Sequence, residues 1–323
     1  MNDVPLVSIV IPAYNHEKYV QECIQSVIDQ DYPRIELIVI DDGSTDGTWA
    51  RIQEMRSACE RRFERVVMET QRNQGCSATC RRLESLERGE IAGGIASDDR
   101  YAPGAISKLV RPLVENDDIG LCVGTNIVID AEGRHCYWDA LQNNVYDEDA
   151  AVYKTADALF SYCSGVDFDS DDFGTYETLI HLNYIPNGHL VKRSVCGGCL
   201  HDPAAPLEDW WFHLQLSKKT RYLHIDDVTF CYRWHGANSM CDKEKMTLMA
   251  EATILHERET LLAAGDSEWL RIARKDFRCV RVVKRLNLGP FRLSVKEVCD
   301  FDYCRRSIKV LGLRIPLSRK KRW

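Results

Sequence analysis

The stretch Val7-Ser-Ile-Val-Ile-Pro-Ala-Tyr14, followed by Ile35-Glu-Leu-Ile-Val-Ile-Asp-Asp42, decides the fold class. Each is a nearly continuous apolar, β-branched run, which is how a strand buried on both faces of a parallel sheet reads. Between them Tyr19, Val20, Cys23, Ile24, Val27 and Ile28 recur at helical spacing, with Asn15 placed to cap the helix and Pro33 beyond its end. The result is a βαβ unit. The alternation continues with a helix near 46–57, a strand at Arg65–Glu69, a helix near 77–88, a strand at Ile91–Ala96, a helix at Pro103–Glu115 and a strand at Gly120–Ile129. This order predicts an α/β fold with an open, doubly wound sheet and a ligand site outside the carboxyl ends of its strands. The polar clusters fall at those ends: Asp41-Asp42-Gly43-Ser44, Asn73-Gln-Gly75 and Ser97-Asp98-Asp99.

The rest of the chain bounds what such a site can serve. With 323 residues, 45% hydrophobic and 28% charged, the composition is that of a globular protein and excludes a disordered one. No run of ~18 apolar residues is present to span a bilayer. The start Met-Asn-Asp-Val-Pro lacks the basic and apolar regions of a secretory signal, which predicts a cytoplasmic protein with reduced thiols. Most of the 14 cysteines, such as Cys23, Cys122 and Cys279, sit in apolar stretches where cysteine acts as a small hydrophobe. Charge is divided unevenly. Residues 269–323 hold 17 Lys or Arg against 4 Asp or Glu, and the first 268 hold 25 against 45. A basic tail on an acidic body points to an anionic surface as the tail's partner.

Val10-Ile-Pro-Ala-Tyr-Asn15 followed by Ile38-Val-Ile-Asp-Asp-Gly-Ser-Thr-Asp46 resembles the N-terminal signature of the family 2 inverting glycosyltransferases. Ser97-Asp98-Asp99, Leu207-Glu208-Asp209-Trp210 and Tyr232-Arg233-Trp-His235 extend the resemblance over roughly residues 5–240 in the expected order. It implies the GT-A fold, a Rossmann-like open mixed sheet flanked by helices. The catalytic domain would be residues 1–240, with a nucleotide-sugar half at 1–130 and an acceptor half at 131–240. Residues 241–323 would form a helical, basic C-terminal region.

The resemblance also implies site residues. Asp41 would contact the base, with Pro12, Ala13, Tyr14, Glu17, Asp42, Asn73, Gly75, Ser97 and Asp98 around the nucleotide sugar. A strand-end carboxylate can accept from a uracil N–H or ribose hydroxyls, although turn chemistry alone also accounts for Asp42-Gly-Ser-Thr-Asp46. Asp98 and Asp99 stand where the family holds Mn2+ or Mg2+, with His235 a further ligand. Adjacent carboxylates repel unless a cation relieves them, and a hard divalent ion on a diphosphate does so. Ala96 occupies a position where the family commonly carries another acid. Asp209 would be the general base toward an acceptor hydroxyl and Glu208 the alternative, both in the first turn of a helix where the dipole also favours acids. Trp210 and Trp211 would divide between core packing and an acceptor face.

The implied reaction is transfer from a nucleotide-diphospho-sugar, a UDP-sugar above all, to a glycan hydroxyl on a polyprenyl-diphosphate-linked intermediate of O-antigen or capsule synthesis. A polyprenyl-phosphate sugar transferase and a catalytically silent nucleotide-sugar-binding scaffold are the alternatives. In the tail, Trp269, Ile272, Ala273, Phe277, Val280 and Val283 fall at helical spacing among basic residues. This predicts an amphipathic basic helix, either lying on the inner face of the plasma membrane or docked on the acidic body. Nucleic acid is not an expected partner, because no stacking platform or recognised binding motif accompanies the charge.

Overall fold

The computed structural model describes residues 4–198, 200–236, 238 and 242–277, residues 301–302, and the backbone of four strands between 279 and 321. The first half alternates as the sequence predicts. β1 (Val7–Ala13), α1 (Val20–Ile28), β2 (Ile35–Asp41), α2 (Thr48–Arg62), β3 (Arg65–Thr70) and α3 (Cys76–Leu86) come first. Then follow β4 (Ile91–Gly94), β5 (Arg100–Tyr101), α4 (Ala105–Glu115) and β6 (Ile119–Ile129). β7 (His135–Trp138), β8 (Asn144–Val145), α5 (Ala156–Ser164), α6 (Tyr176–Leu179), β9 (Leu190–Lys192), α7 (Arg193–Cys196), α8 (Glu208–Leu216) and β10 (Arg221–Arg233) complete the body.

One mixed sheet of order β3-β2-β1-β4-β9-β6-β10-β5 carries both halves, with β7 and β8 paired off its side. β1, β2, β3 and β4 run parallel, β9 is antiparallel to both β4 and β6, and β10 is parallel to β6. The carboxyl ends of β1, β2, β4 and β10 therefore face the same side. Strands from both sides of residue 130 share this sheet. Every residue of β2 is buried. Its mid-strand acid, Glu36, is satisfied by Ser8, Arg65 and the N–H groups of Arg88 and Gly89, as a buried carboxylate must be.

α1 departs from expectation at its start. Asn15 does not cap it. Its backbone is left-handed (φ 55°) and its Oδ1 accepts from Thr45 N–H at 2.8 Å, which ties the loop after β1 to the loop after β2.

The largest correction concerns the tail. α9 (Lys243–Ala264), capped by Asp242 and closed by Gly265 at φ 66°, is followed by α10 (Ser267–Asp276). α10 ends before Val280, and the chain continues as β11 (Cys279–Leu288), β12 (Phe291–Cys299), β13 (Tyr303–Val310) and β14 (Leu313–Lys321), an antiparallel sheet. The expected helical region is therefore helical only to Asp276. The missed signal is a run of β-branched and apolar residues around Gly289-Pro290 and Leu311-Gly312, breakers that punctuate a meander. Nor is the apolar stripe of α10 free to meet a membrane. Leu270, Ile272, Ala273 and Phe277 are buried in the core built by α6 and α8, and Trp269 stacks edge-on to Tyr176 at 5.0 Å. The docked alternative holds for this helix.

Candidate functional site

A cavity of about 1290 Å3 opens at the carboxyl ends of β1, β2, β4 and β10. Its walls include Pro12, Ala13, Tyr14, Glu17, Asp42, Asn73, Gly75, Ser97 and Asp98, all expected around a nucleotide sugar, together with Glu208 and Asp209. Asp41 is not on the wall. Its Oδ2 accepts from Thr70 Oγ1 at 2.8 Å and from Ser44 N–H at 3.3 Å, beneath the turn. Side chains of successive strand residues point to opposite faces, so only one acid of the pair can reach the cavity, and it is Asp42. The acid expected to contact the base, Asp41, is therefore the one that does not line the cavity.

Asp42 shapes the adjoining loop. Its Oδ1 accepts from Gln71 Nε2 at 2.8 Å and Gln74 N–H at 2.9 Å, and its Oδ2 from Gly75 N–H at 2.9 Å. The two loops touch at Gly43 (φ 71°), where a Cβ would stand 2.7 Å from Asn73 N. Glu17 serves similarly, accepting from Gly47 N–H at 2.6 Å at the start of α2.

Asp98 and Asp99 separate in role. Asp98 Oδ2 lies 3.0 Å from His235 Nε2 and 3.7 Å from His16 Nε2, and the ligand atoms of all three residues fall within 4.8 Å of one another. Asp99 is outside this group. Its Oδ1 accepts from Arg233 N–H at 2.7 Å, and burial together with the Asp98 charge pushes its carboxyl well up. His16 completes the group, a residue that sequence reasoning passed over. The signal was its place directly after Tyr14-Asn15 at the end of a parallel strand. Burial lowers the His16 pKa against the pull of Asp98, which favours the neutral imidazole that can ligate a metal. Two imidazoles and a carboxylate fit a divalent metal ion.

Arg233, 1% exposed, braces the group from behind. It donates Nε to Asp98 O at 2.7 Å, pairs with Glu22, and lies over the Tyr19 ring at 4.9 Å. Tyr19 in turn stacks on His235 at 5.1 Å.

Glu208 and Asp209 open α8. Glu208 Oε1 accepts from the Cys76 thiol at 3.2 Å, and burial and the Asp209 charge raise its pKa. Asp209 is exposed to the cavity, its Oδ2 accepting from Asn183 Nδ2 at 2.8 Å. The pair is unequal, and Asp209 is better placed to take a proton. Trp210 and Trp211 are not an acceptor face: they are 6% and 4% exposed. Trp210 Nε1 donates to Leu179 O at 2.7 Å and Trp211 packs on His256 at 4.4 Å. Phe212 is the aromatic of α8 that lines the cavity, between His189 and His201.

Comparison with known proteins identifies the family and the fold. Residues 8–172 match the family model described as Glycosyl transferase family 2. The chain is 35% identical over 131 residues to a chondroitin synthase of Escherichia coli, covering 41% of this chain and 18% of that protein. It is 31% identical to the putative teichuronic acid biosynthesis glycosyltransferase TuaG of Bacillus subtilis, covering 44% of this chain and 59% of that one. Among solved structures, a mannosyltransferase of Pyrobaculum calidifontis in complex with GDP-Man and Mn2+ superposes with a TM-score of 0.57 at 13% identity, over 79% of this chain and 65% of that one. TarS 1-349 of S. aureus in complex with UDP-GlcNAc gives a TM-score of 0.51 at 16% identity, over 77% of this chain and 66% of the other. Both structural likenesses show the fold alone.

Proposed function

Because the chain belongs to glycosyl transferase family 2, we propose that it moves a sugar from a nucleotide-diphospho-sugar to a hydroxyl of a growing glycan, with inversion at the anomeric carbon. One observation carries the reading: a single cavity holds the Asp42 loop, the His16–Asp98–His235 group and the Glu208–Asp209 pair. That is what transfer from a charged donor requires, namely a nucleotide seat, a cation seat and a base.

In this reading Asp42 and the loop it orders bind the base and ribose. His16, Asp98 and His235 hold a divalent ion, which when bound offsets the charge of the leaving diphosphate. Asp209 takes the proton from the acceptor hydroxyl as that oxygen bonds to the anomeric carbon and the bond to the diphosphate breaks. The acceptor is a glycan, lipid-linked in the polyprenyl-diphosphate manner, and the excess of basic residues in 269–323 suits an anionic leaflet. Among the described residues no helix is long and apolar enough to cross a membrane. A silent nucleotide-sugar-binding scaffold is favoured only by Ala96 in place of an acid.

Thermal unfolding of the full chain with UDP, GDP, CDP and dTDP, each with Mn2+ and with chelator, tests the seat. Ligand at ~100 times its Kd should stabilise the fold by ~2.7 kcal/mol. A metal-dependent shift with one diphosphate selects the donor class for a sugar-transfer screen, and no shift with any refutes the donor reading. Asp209→Asn should keep nucleotide binding and lower transfer by at least ~100-fold. Near-normal transfer places the base elsewhere.

A further inference from the structure

Asp209 touches a side chain to which the proposed reaction gives no part. We propose that Asn183 is the positioning residue of this base, its amide holding the Asp209 carboxylate toward the acceptor hydroxyl. The inference rests on the transfer reading and adds to it a residue outside the matched residues 8–172 and outside the motifs read from the sequence.

The carboxylate is held at both oxygens. Asp209 Oδ1 accepts from Trp210 N–H at 2.7 Å, and Oδ2 accepts from Asn183 Nδ2 at 2.8 Å. A carboxylate has about four lone-pair sites, so two remain for the cavity that Asp209 lines. Without Asn183 the group keeps one bond, to the neighbouring backbone, and can swing about its two side-chain torsions. A base must stand within hydrogen-bond reach of the hydroxyl, and misplacement by ~1 Å costs up to ~100-fold in rate.

The orientation of Asn183 has a cost that this contact explains. Its Oδ1 is buried and has no hydrogen-bond partner among the described residues. Turning the amide over would set Oδ1 against the Asp209 carboxylate, acceptor against acceptor, so the charge selects the orientation seen. A buried carbonyl left unpaired is disfavoured, and leucine, close in size, would remove that penalty together with the donor.

Both partners are fixed by contacts other than their own bond. Trp210 Nε1 donates to Leu179 O at 2.7 Å, so the residue after the base also ties down the chain before Asn183. On the other side, the Tyr184 hydroxyl accepts from Gly174 N–H at 2.6 Å. α8 opens at Leu207, whose side chain makes no cap bond, and the buried Thr253 of α9 accepts from the Leu207 N–H at 3.1 Å. A base supported in this way by a neighbouring donor and a braced helix start is preorganised for its task.

The test uses the full chain, with the donor and acceptor found by the sugar-transfer screen. Asn183→Leu should have a urea midpoint equal to or above that of the parent. Its Kd for the diphosphate chosen by the thermal screen and its donor KM should stay within about twofold, while kcat falls at least about tenfold. A kcat within about twofold of the parent overturns the inference, and so does a midpoint that drops together with nucleotide affinity, the mark of a structural residue. Asn183→Ala, which removes the donor without adding bulk, should show the same loss of kcat. In an Asp209→Asn background, Asn183→Leu should cost less than about twofold, because a positioning residue acts only through the group it positions. Losses that multiply overturn the inference. Near-normal transfer by Asp209→Asn refutes the base itself and the inference with it, whereas a deficient Asp209→Asn beside a normal Asn183→Leu refutes the role of Asn183 alone.

Discussion

Replacing Asp42 with asparagine separates the two neighbouring acids that the sequence could not tell apart. The Asp42 carboxylate, 4% exposed, accepts three hydrogen bonds, two of them from the backbone of the loop that lines the nucleotide wall. Asparagine keeps one acceptor oxygen, for Gln71 and Gln74, and turns an NH2 group toward Gly75 N–H, donor against donor. Bonds to a charged acceptor contribute ~1.5–3 kcal/mol each, so losing one and weakening two totals about 3–4 kcal/mol before solvent intervenes. Residues 72–75 are exposed, and water can satisfy their freed N–H groups. A discounted cost of ~1.5–3 kcal/mol remains, and it falls on the order of the loop. If the nucleotide binds only the ordered loop, its Kd rises by the same factor, ~10-fold to ~100-fold. Calorimetry with the diphosphate chosen by the thermal screen reads that factor, and amide exchange at Gln74 and Gly75 reads the loop. Asp41→Asn serves as the contrast. Its bonds to Thr70 and Ser44 lie under the turn, so it should lower the unfolding midpoint and leave Kd within about twofold. Faster exchange at Gly75 with unchanged affinity in Asp42→Asn would refute the coupling of loop to ligand, and a larger loss of affinity in Asp41→Asn would refute the assignment of the wall.

Two further outcomes follow from burial. The Glu87 carboxyl, on the cavity wall 3.1 Å from Arg193, is pushed up from 4.5 to about 8 by burial and by Glu84. The folded state thus holds a proton that the unfolded chain releases, and stability falls as pH rises from about 4.5 to 8, by at most ~1.4 kcal/mol per pH unit. Glu87→Gln should flatten that fall in urea midpoints between pH 5 and 8, and an unchanged slope would assign it to other groups. Trp210→Ala should cost ~3–5 kcal/mol, since it opens a core cavity and strips Leu179 O of its donor. A midpoint like that of the parent would return Trp210 to the acceptor face.

The sheet was legible because its evidence is local. Ile35–Asp41 is buried throughout and apolar but for Glu36 and the terminal Asp41, and the helices between strands keep a 3.6-residue period that any packing partner would satisfy. The same holds for the polar strand ends, since a parallel sheet must turn there. The tail misled for a matching reason. The stripe from Trp269 to Phe277 is helical, but extending it to Val283 ran past Asp276 into β-branched residues that pair across strands.

The sequence by itself determined the order of strands and helices through the body, the edge of the sheet where chemistry gathers, and the family to which the residues around Asp42 and Asp98 belong. The tertiary structure alone decided how the two acids of each pair differ. Asp41 against Asp42 is a matter of strand pleat, Asp98 against Asp99 of which carboxylate the Arg233 N–H takes, and Glu208 against Asp209 of burial beside Cys76. It alone brought His16 within 3.7 Å of Asp98, 82 positions further along the chain. Adjacent residues share composition and propensity but point in different directions, and distant ones meet only when the sheet sets strand ends side by side.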